Sequence, residues 1–275
     1  MQLACFVVSA YLMVEFNNSN ALIRIYSRMV SCSFLAMLCA ANFLFGNMLG
    51  AIVLLCTVAA YTILFRTYQL KEATGWTFYA FLCIALASVA WVQMLWLVPV
   101  VWLLMWTQLS SLSWRTFMAS LIGLMTPYWF ITVALFYIGS FSYFANHFGE
   151  LANFSPITLN PSPITLNPSP IPSLLTFAFV VSLYITGSIH YMRHSSDDKI
   201  RIRQLYGFFM IMGLADILFI ILQPQHFDPL LRLLIVNTAP LIGHFLALTR
   251  TRVTNIAFFV ISIASVALTI LSLFS

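Results

Sequence analysis

Hydrophobic and polar positions follow one another along this chain in long blocks, without the short stride of an amphipathic soluble fold. Ten apolar stretches stand out, at roughly 1–15, 29–45, 49–65, 77–92, 95–109, 117–139, 174–192, 205–222, 229–248 and 254–273. At 1.5 Å rise per residue, runs of this length reach about 22–35 Å, the scale of a bilayer's hydrocarbon core. The pattern predicts an all-α polytopic transmembrane bundle of about ten helices, several of them paired as short hairpins. The residues from Arg28 to Arg66 are too many for one span, and Gly46-Asn47 and Gly50 supply a turn that splits them. The stretch from Trp76 to Trp114 splits in the same way near Gln93. Both pairs of markers are 38 positions apart, which hints at a repeated helical hairpin.

The segment from Leu205 to Leu248 holds the most informative polar residues. Pro224 ends the first helix of this pair; Asp228 suits an N-cap and Pro229 the first helical position of the second. Asp216 lies eleven residues in from Leu205, and Asn237 eleven before Leu248. An antiparallel hairpin therefore places them at one depth, near mid-membrane. Helical periodicity puts Gly213, Asp216 and Gln223 on one face, and Asn237, Pro240 and His244 on one face of the next helix. Polar groups so grouped point into the bundle. A charge at the bilayer centre is costly, so Asp216 is either a hydrogen-bonded clamp to Asn237 or a functional proton or cation site. The clamp is the favoured reading, because no second membrane-embedded acid offers a relay. Arg232 follows Asp228 by four residues, which predicts a surface ion pair and a snorkelling side chain. His244 reads as a helix-packing residue.

Composition agrees with the block pattern. The chain has 275 residues, 62% hydrophobic and 7% charged, where a soluble domain carries about 25% charged residues. A net charge of +5 does not point to nucleic acid, because the basic residues are dispersed between spans. Their placement is one-sided. Arg24 and Arg28 follow the first helix, Arg66 and Lys71 the third, and Arg115 the fifth. Arg193, Lys199, Arg201 and Arg203 follow the seventh, and Arg250 and Arg252 the ninth. The turns after the second, fourth, sixth and eighth helices have none. The positive-inside rule makes the basic side cytoplasmic and leaves both termini outside.

The remaining features refine this topology. Met1 to Val14 lacks a basic leader region, so it does not read as a signal peptide, and it is short for a span; it reads as part of a longer or tilted helix. The five cysteines, Cys5, Cys32, Cys39, Cys56 and Cys83, form no C-x-x-C pair and are expected to be small buried hydrophobes, with no metal site and no cofactor. Trp76, Trp106 and Trp114 fall at the inner interface and Trp91 and Trp96 at the outer one, while Trp102 and Trp129 lie deeper and read as packing residues. The outer loop holds a perfect tandem repeat, SPITLNP at 155–161 and again at 162–168, whose prolines exclude a helix. Before it, 141–154 suits an amphipathic helix lying on the outer surface. On the inner side Asn20 could cap a short helix carrying Arg24 and Arg28, which could hold a lipid phosphate or simply anchor the span. Ser195 to Asp198 suits the capped start of the eighth helix. In chain order the molecule divides into a six-helix membrane half (1–139), the proline-rich outer loop (140–173) and a four-helix half (174–275).

Two patches carry a family likeness. One is Leu112-Ser113-Trp114-Arg115-Thr116-Phe117 leading to Gly123-Leu124-Met125-Thr126-Pro127-Tyr128, and the other runs from Asn237 through Pro240 to His244. With the hairpin layout they resemble a family of polytopic inner-membrane proteins of Bacteroidetes-type bacteria that has no assigned activity. The resemblance implies a Gram-negative inner membrane, transfers no site residues, and does not include the SPITLNP repeat.

No catalytic motif, phosphate loop or metal-ligand spacing accompanies these features. The expected function is that of a non-enzymatic integral membrane protein, accessory to envelope biogenesis or carrying a small solute. Its partners would be the bilayer and a lipid-linked or small-molecule substrate. The alternative is a membrane glycosyltransferase or polymerase acting on a lipid-linked sugar at the outer face, with His147, Glu150, His226 or Asp228 as acid–base groups. Against it, the early outer turns offer only Asn47 and Gln93 in place of an acid.

Overall fold

A computed structural model describes residues 1–23, 27–139, 142–152, 170–248 and 252–274; for Pro170, Ile171, Val253 and Phe274 it describes the backbone alone. The SPITLNP repeat, Arg24 and Arg250 lie outside the described residues. The regular structure is all helical: α1 (Gln2–Asn20), α2 (Met29–Ala40), α3 (Met48–Leu64), α4 (Thr74–Ala90), α5 (Val98–Thr107), α6 (Trp114–Ile138), α7 (Ser142–Gly149), α8 (Pro170–His194), α9 (Ile200–Leu222), α10 (Phe227–Leu248) and α11 (Arg252–Phe274). Each of the ten apolar stretches forms a helix, and α7 occupies the segment expected to be amphipathic. Among the described residues six helices are long and apolar enough to cross a membrane: α3 with its following turn, α6, α8, α9, α10 and α11. The chain is a multi-pass membrane protein with an all-α bundle.

Local chemistry sets the boundaries. The two splits fall where turn residues suggested them, as short 3-10 turns at Asn42–Gly46 and Val92–Leu97. α6 opens on a capping box: Ser113 Oγ accepts from the Thr116 N–H, and Thr116 Oγ1 accepts from the Ser113 N–H at 2.8 Å. Gly139 closes it with φ 74°, a left-handed conformation that suits glycine. Three starts differ from expectation. α1 runs on through Glu15 to Asn20, so Asn20 closes that helix, while Arg24 of the short helix expected next lies outside the described residues. α10 begins at Phe227, which puts Asp228 inside its first turn. Asp198 lies just before α9, but the N-cap residue there is Lys199.

The contacts gather the chain into two compact units, Met1–Met48 with Ile157–Ser275, and Leu49–Pro156. In the first, α10 is the axis. It packs on α2, α8 and α9, α1 lies on α2, and α11 rests on α2 and α8. Nearly every α10 side chain from Leu230 to Phe245 is buried, as a helix enclosed on several sides requires. Gly243 permits the α2 approach, since a Cβ there would sit 3.0 Å from the Val30 Cα. In the second unit α4 packs on α6 across Gly123, where a Cβ would lie 2.6 Å from the Phe78 carbonyl oxygen. Trp102 donates to Ser120 Oγ at 3.0 Å and stacks near Phe81, so it packs as expected. Trp129 does not: it is 71% exposed on the outer face of α6. The cysteines also depart from expectation, since none is buried and Cys32 and Cys39 are exposed. In a membrane, such faces can meet lipid at no hydrophobic cost, so burial in protein is not required of them.

Long-range polar bonds within each unit join ends that the basic-residue pattern assigns to one side. In the first unit Gln2 donates to the Asn47 carbonyl and Thr176 to that of Ala40, at the end without basic loops. Asn17 donates to the Ser27 carbonyl and Arg201 to Asn20 Oδ1 at the other end. In the second unit the Gln69 N–H bonds the Leu109 carbonyl and Ser113 Oγ that of Lys71, both in basic turns. Gln93 donates to the Glu150 carbonyl at the opposite end.

Candidate functional site

Polar groups inside the first unit cluster at three levels along α10. The middle level is the pair anticipated from sequence. Asn237 Nδ2 donates to Asp216 Oδ2 at 2.7 Å, and both residues are 0% exposed. Matched depth on adjacent antiparallel helices brings them together. Gly213, one turn before Asp216, faces the Tyr184 ring, and Tyr184 donates to the Met210 carbonyl, which fixes α8 against this part of α9. Gln223 does not join the pair: it accepts from Gln225 Nε2 at 3.0 Å within the α9–α10 turn. The Asp216–Asn237 bond is thus sealed between helices, the geometry of a clamp.

The second level lies at the C-terminal end of α10. His244 Nε2 and Asp198 Oδ2 are 3.2 Å apart, with side chains 2% and 0% exposed. The imidazole sits among Tyr191, Tyr206 and His190, with ring centroids 5.2, 5.1 and 5.8 Å away. His190 in turn stacks on His194 at 4.4 Å, one helical turn on. His244 is a packing residue, as expected, but it is also half of a buried acid–histidine pair. Asp198, expected to begin a helix near the surface, turns inward and supplies the second buried acid that sequence reasoning missed. The available signal was weak: an acid in a short turn between two long helices, opposite a histidine placed late on the third. Among the described residues no group of three or more His, Cys, Asp or Glu side chains is placed to hold a metal ion.

The third level, toward the start of α10, corrects the reading of Arg232. A snorkelling side chain was expected; Arg232 is 0% exposed and is the largest fully buried side chain among the described residues. Its Nη2 donates to the Leu44 carbonyl and lies 3.5 Å from that of Asn47, and the guanidinium stands 6.0 Å from the centre of the Phe6 ring. Packing of α2 and α10 brings the 3-10 turn onto the arginine, so main-chain carbonyls of that turn, rather than the Asp228 carboxylate, stand within hydrogen-bond distance of the guanidinium. Nε and Nη1 find no hydrogen-bond acceptor.

The outer-face candidates are dispersed. In one unit His147 stacks near Tyr128 and Phe148, and Glu150 is exposed, with its main-chain carbonyl engaged by Gln93. In the other unit His226 contacts Gln225, and Asp228 is half-buried. Arg28 is exposed at the start of α2. Comparison with protein-family models, with curated proteins and with solved structures finds no match.

Proposed function

We propose that this chain is a non-enzymatic, multi-pass protein of a bacterial inner membrane, accessory to envelope biogenesis, with both termini outside. The observation that carries the reading is the sealed Asp216–Asn237 bond of 2.7 Å. A solute carrier places its midplane polar groups on a cavity, commonly beside interrupted helices. Here one carboxyl oxygen of Asp216 is spent on a helix–helix bond, and α9 and α10 stay helical past it, α10 with Pro240 in its interior. The resemblance of the Leu112–Tyr128 and Asn237–His244 patches to the Bacteroidetes inner-membrane family supports the cellular setting. The lipid-linked sugar enzyme finds less support, because the acid–histidine pair that the fold builds, Asp198 with His244, is shut away from solvent.

The test separates clamp from carrier. Asp216→Asn keeps a hydrogen-bonding group and should leave both thermal stability in detergent and the growth of a complemented strain unchanged. Asp216→Leu strands Asn237 in hydrocarbon and should cost roughly 1–2 kcal/mol. A stable Asp216→Asn protein that fails to complement would overturn the accessory reading in favour of a proton- or cation-linked carrier, since an amide cannot take up and release a proton. Topology has its own check. Reporter fusions after Lys71, Arg115 and Lys199 should report cytoplasm, and one after Pro163 the exterior; a cytoplasmic signal at Pro163 would refute the orientation.

A further inference from the structure

An apolar cavity of about 200 Å³ lies among α2, α8, α10 and α11. Its wall includes Ala36 and Met37 of α2, Leu183 of α8, Ile242 of α10 and Ile261 of α11. Ser33 of α2 and two serines of α11 also line it, and the hydroxyls of the two on α11 are already engaged. Ser262 Oγ donates to the Phe258 carbonyl at 2.8 Å, and Ser265 Oγ to that of Ile261 at 2.6 Å. Hydroxyls turned back onto their own helix leave carbon facing the space. The lining therefore suits hydrocarbon better than a polar solute. Exposed Cys32 forms part of the wall, so the cavity opens sideways toward lipid.

The ends of the two flanking helices carry charge of one sign. Gly243, near the C-terminal end of α10, meets Val30 at the start of α2, and α11 starts only four residues after α10 ends, so α2 and α11 begin at the same end of the unit. Arg28 stands at the start of α2 and Arg252 at the start of α11, and both are exposed. Two helix N-termini add partial positive charge there. An apolar slot beneath two cations matches an anionic amphiphile with its charge at the interface and its chain in the slot.

We propose that this cavity binds one acyl chain of an anionic glycerophospholipid, whose phosphate is held by Arg28 and Arg252. The site rests on the chain's being a membrane protein, but not on the accessory role or on which side is cytoplasmic. A bound lipid here would tie α11, which otherwise presents most of its surface outward, to α2 and α8.

The experiment is native mass spectrometry of the delipidated full chain in detergent, titrated with phosphatidylglycerol or with phosphatidylcholine of the same acyl chains. One phosphatidylglycerol should be retained in preference. Arg28→Gln and Arg252→Gln should each reduce that preference roughly fivefold, the factor corresponding to about 1 kcal/mol per basic residue at a bilayer surface. Ala36→Phe fills the slot and should abolish retention of either lipid. Should Ala36→Phe not fold, maleimide labelling of Cys32, with Cys32→Ser as control, replaces it: phosphatidylglycerol should slow labelling of the wild-type protein. Equal retention of the two lipids, indifference to both arginine changes, or unchanged Cys32 labelling would overturn the proposal. Retention of inorganic phosphate without lipid would overturn it as well, because the arginines alone would then account for binding. None of these outcomes bears on Asp216, so failure here leaves the clamp and its function untouched.

Discussion

His244→Ala should lower the melting temperature of the detergent-solubilised protein by roughly 6–20 °C. The expectation follows from burial. Both members of the His244–Asp198 pair are shut off from solvent, 3.2 Å apart. Removing one partner of a buried acid–base pair costs about 3–5 kcal/mol, because the remaining group loses the partner it faces in a low-dielectric interior. For a large domain each kcal/mol moves the midpoint by about 2–4 °C. The substitution also empties the space beside the stacked Tyr191 and Tyr206 rings, which adds to the loss. Asp198→Asn is the informative companion. It keeps a hydrogen-bonding side chain of the same shape facing the imidazole, so it should cost well under half as much. Differential scanning fluorimetry of the two variants decides the matter. A His244→Ala shift below about 2 °C would mean that the pair adds nothing beyond a surface ion pair, which typically contributes about 0–1 kcal/mol.

Arg232→Ala should cost about 2–4 kcal/mol, whereas Arg232→Met should be close to neutral. Three effects compete. Truncating the largest fully buried side chain leaves a cavity, at about 2–5 kcal/mol for large-to-alanine changes. Losing the donor leaves the Leu44 carbonyl with only the long 3.4 Å contact from the Asn47 N–H, a loss of about 1–3 kcal/mol. Against these stands relief from burying a guanidinium whose Nε and Nη1 have no acceptor, itself worth several kcal/mol. Alanine suffers both losses; methionine fills the volume and keeps the relief. Chemical denaturation or thermal melting of both variants tests the balance. If both were silent, Arg232 would behave as the snorkelling surface residue its distance from Asp228 suggested, and its buried placement would be refuted.

How much could be read in advance differs from element to element. The Asp216–Asn237 bond was legible because two quantities are local: distance along a helix sets depth, and helical period sets face. A tight turn between the helices then made depth and face sufficient. The hairpin splits at Gly46-Asn47 and near Gln93 were legible for a similar reason, since span length is bounded by the bilayer. Arg232 misled because its neighbour in sequence, Asp228, was taken for its hydrogen-bond partner. The carbonyls it meets belong to the α2–α3 turn, almost 190 residues away along the chain. Asp198 misled likewise: a local capping role was available, but a buried histidine on another helix claimed the side chain.

Block hydrophobicity alone determined that this is an all-α, multi-pass membrane protein. In a bilayer every backbone amide must bond within its own segment, which leaves long apolar runs one solution, the helix. Hydrophobicity could not say which helices associate, because lipid is as apolar as any helix surface and exerts no pull toward a particular partner. That choice rests on close approach at residues such as Gly243 and Gly123 and on polar bonds between distant segments. It is why α1 and α2 join α8 to α11 in one unit while 49–156 forms another. The tertiary structure therefore decided the group that each buried charge meets: Asn237 for Asp216, His244 for Asp198, and two main-chain carbonyls for Arg232.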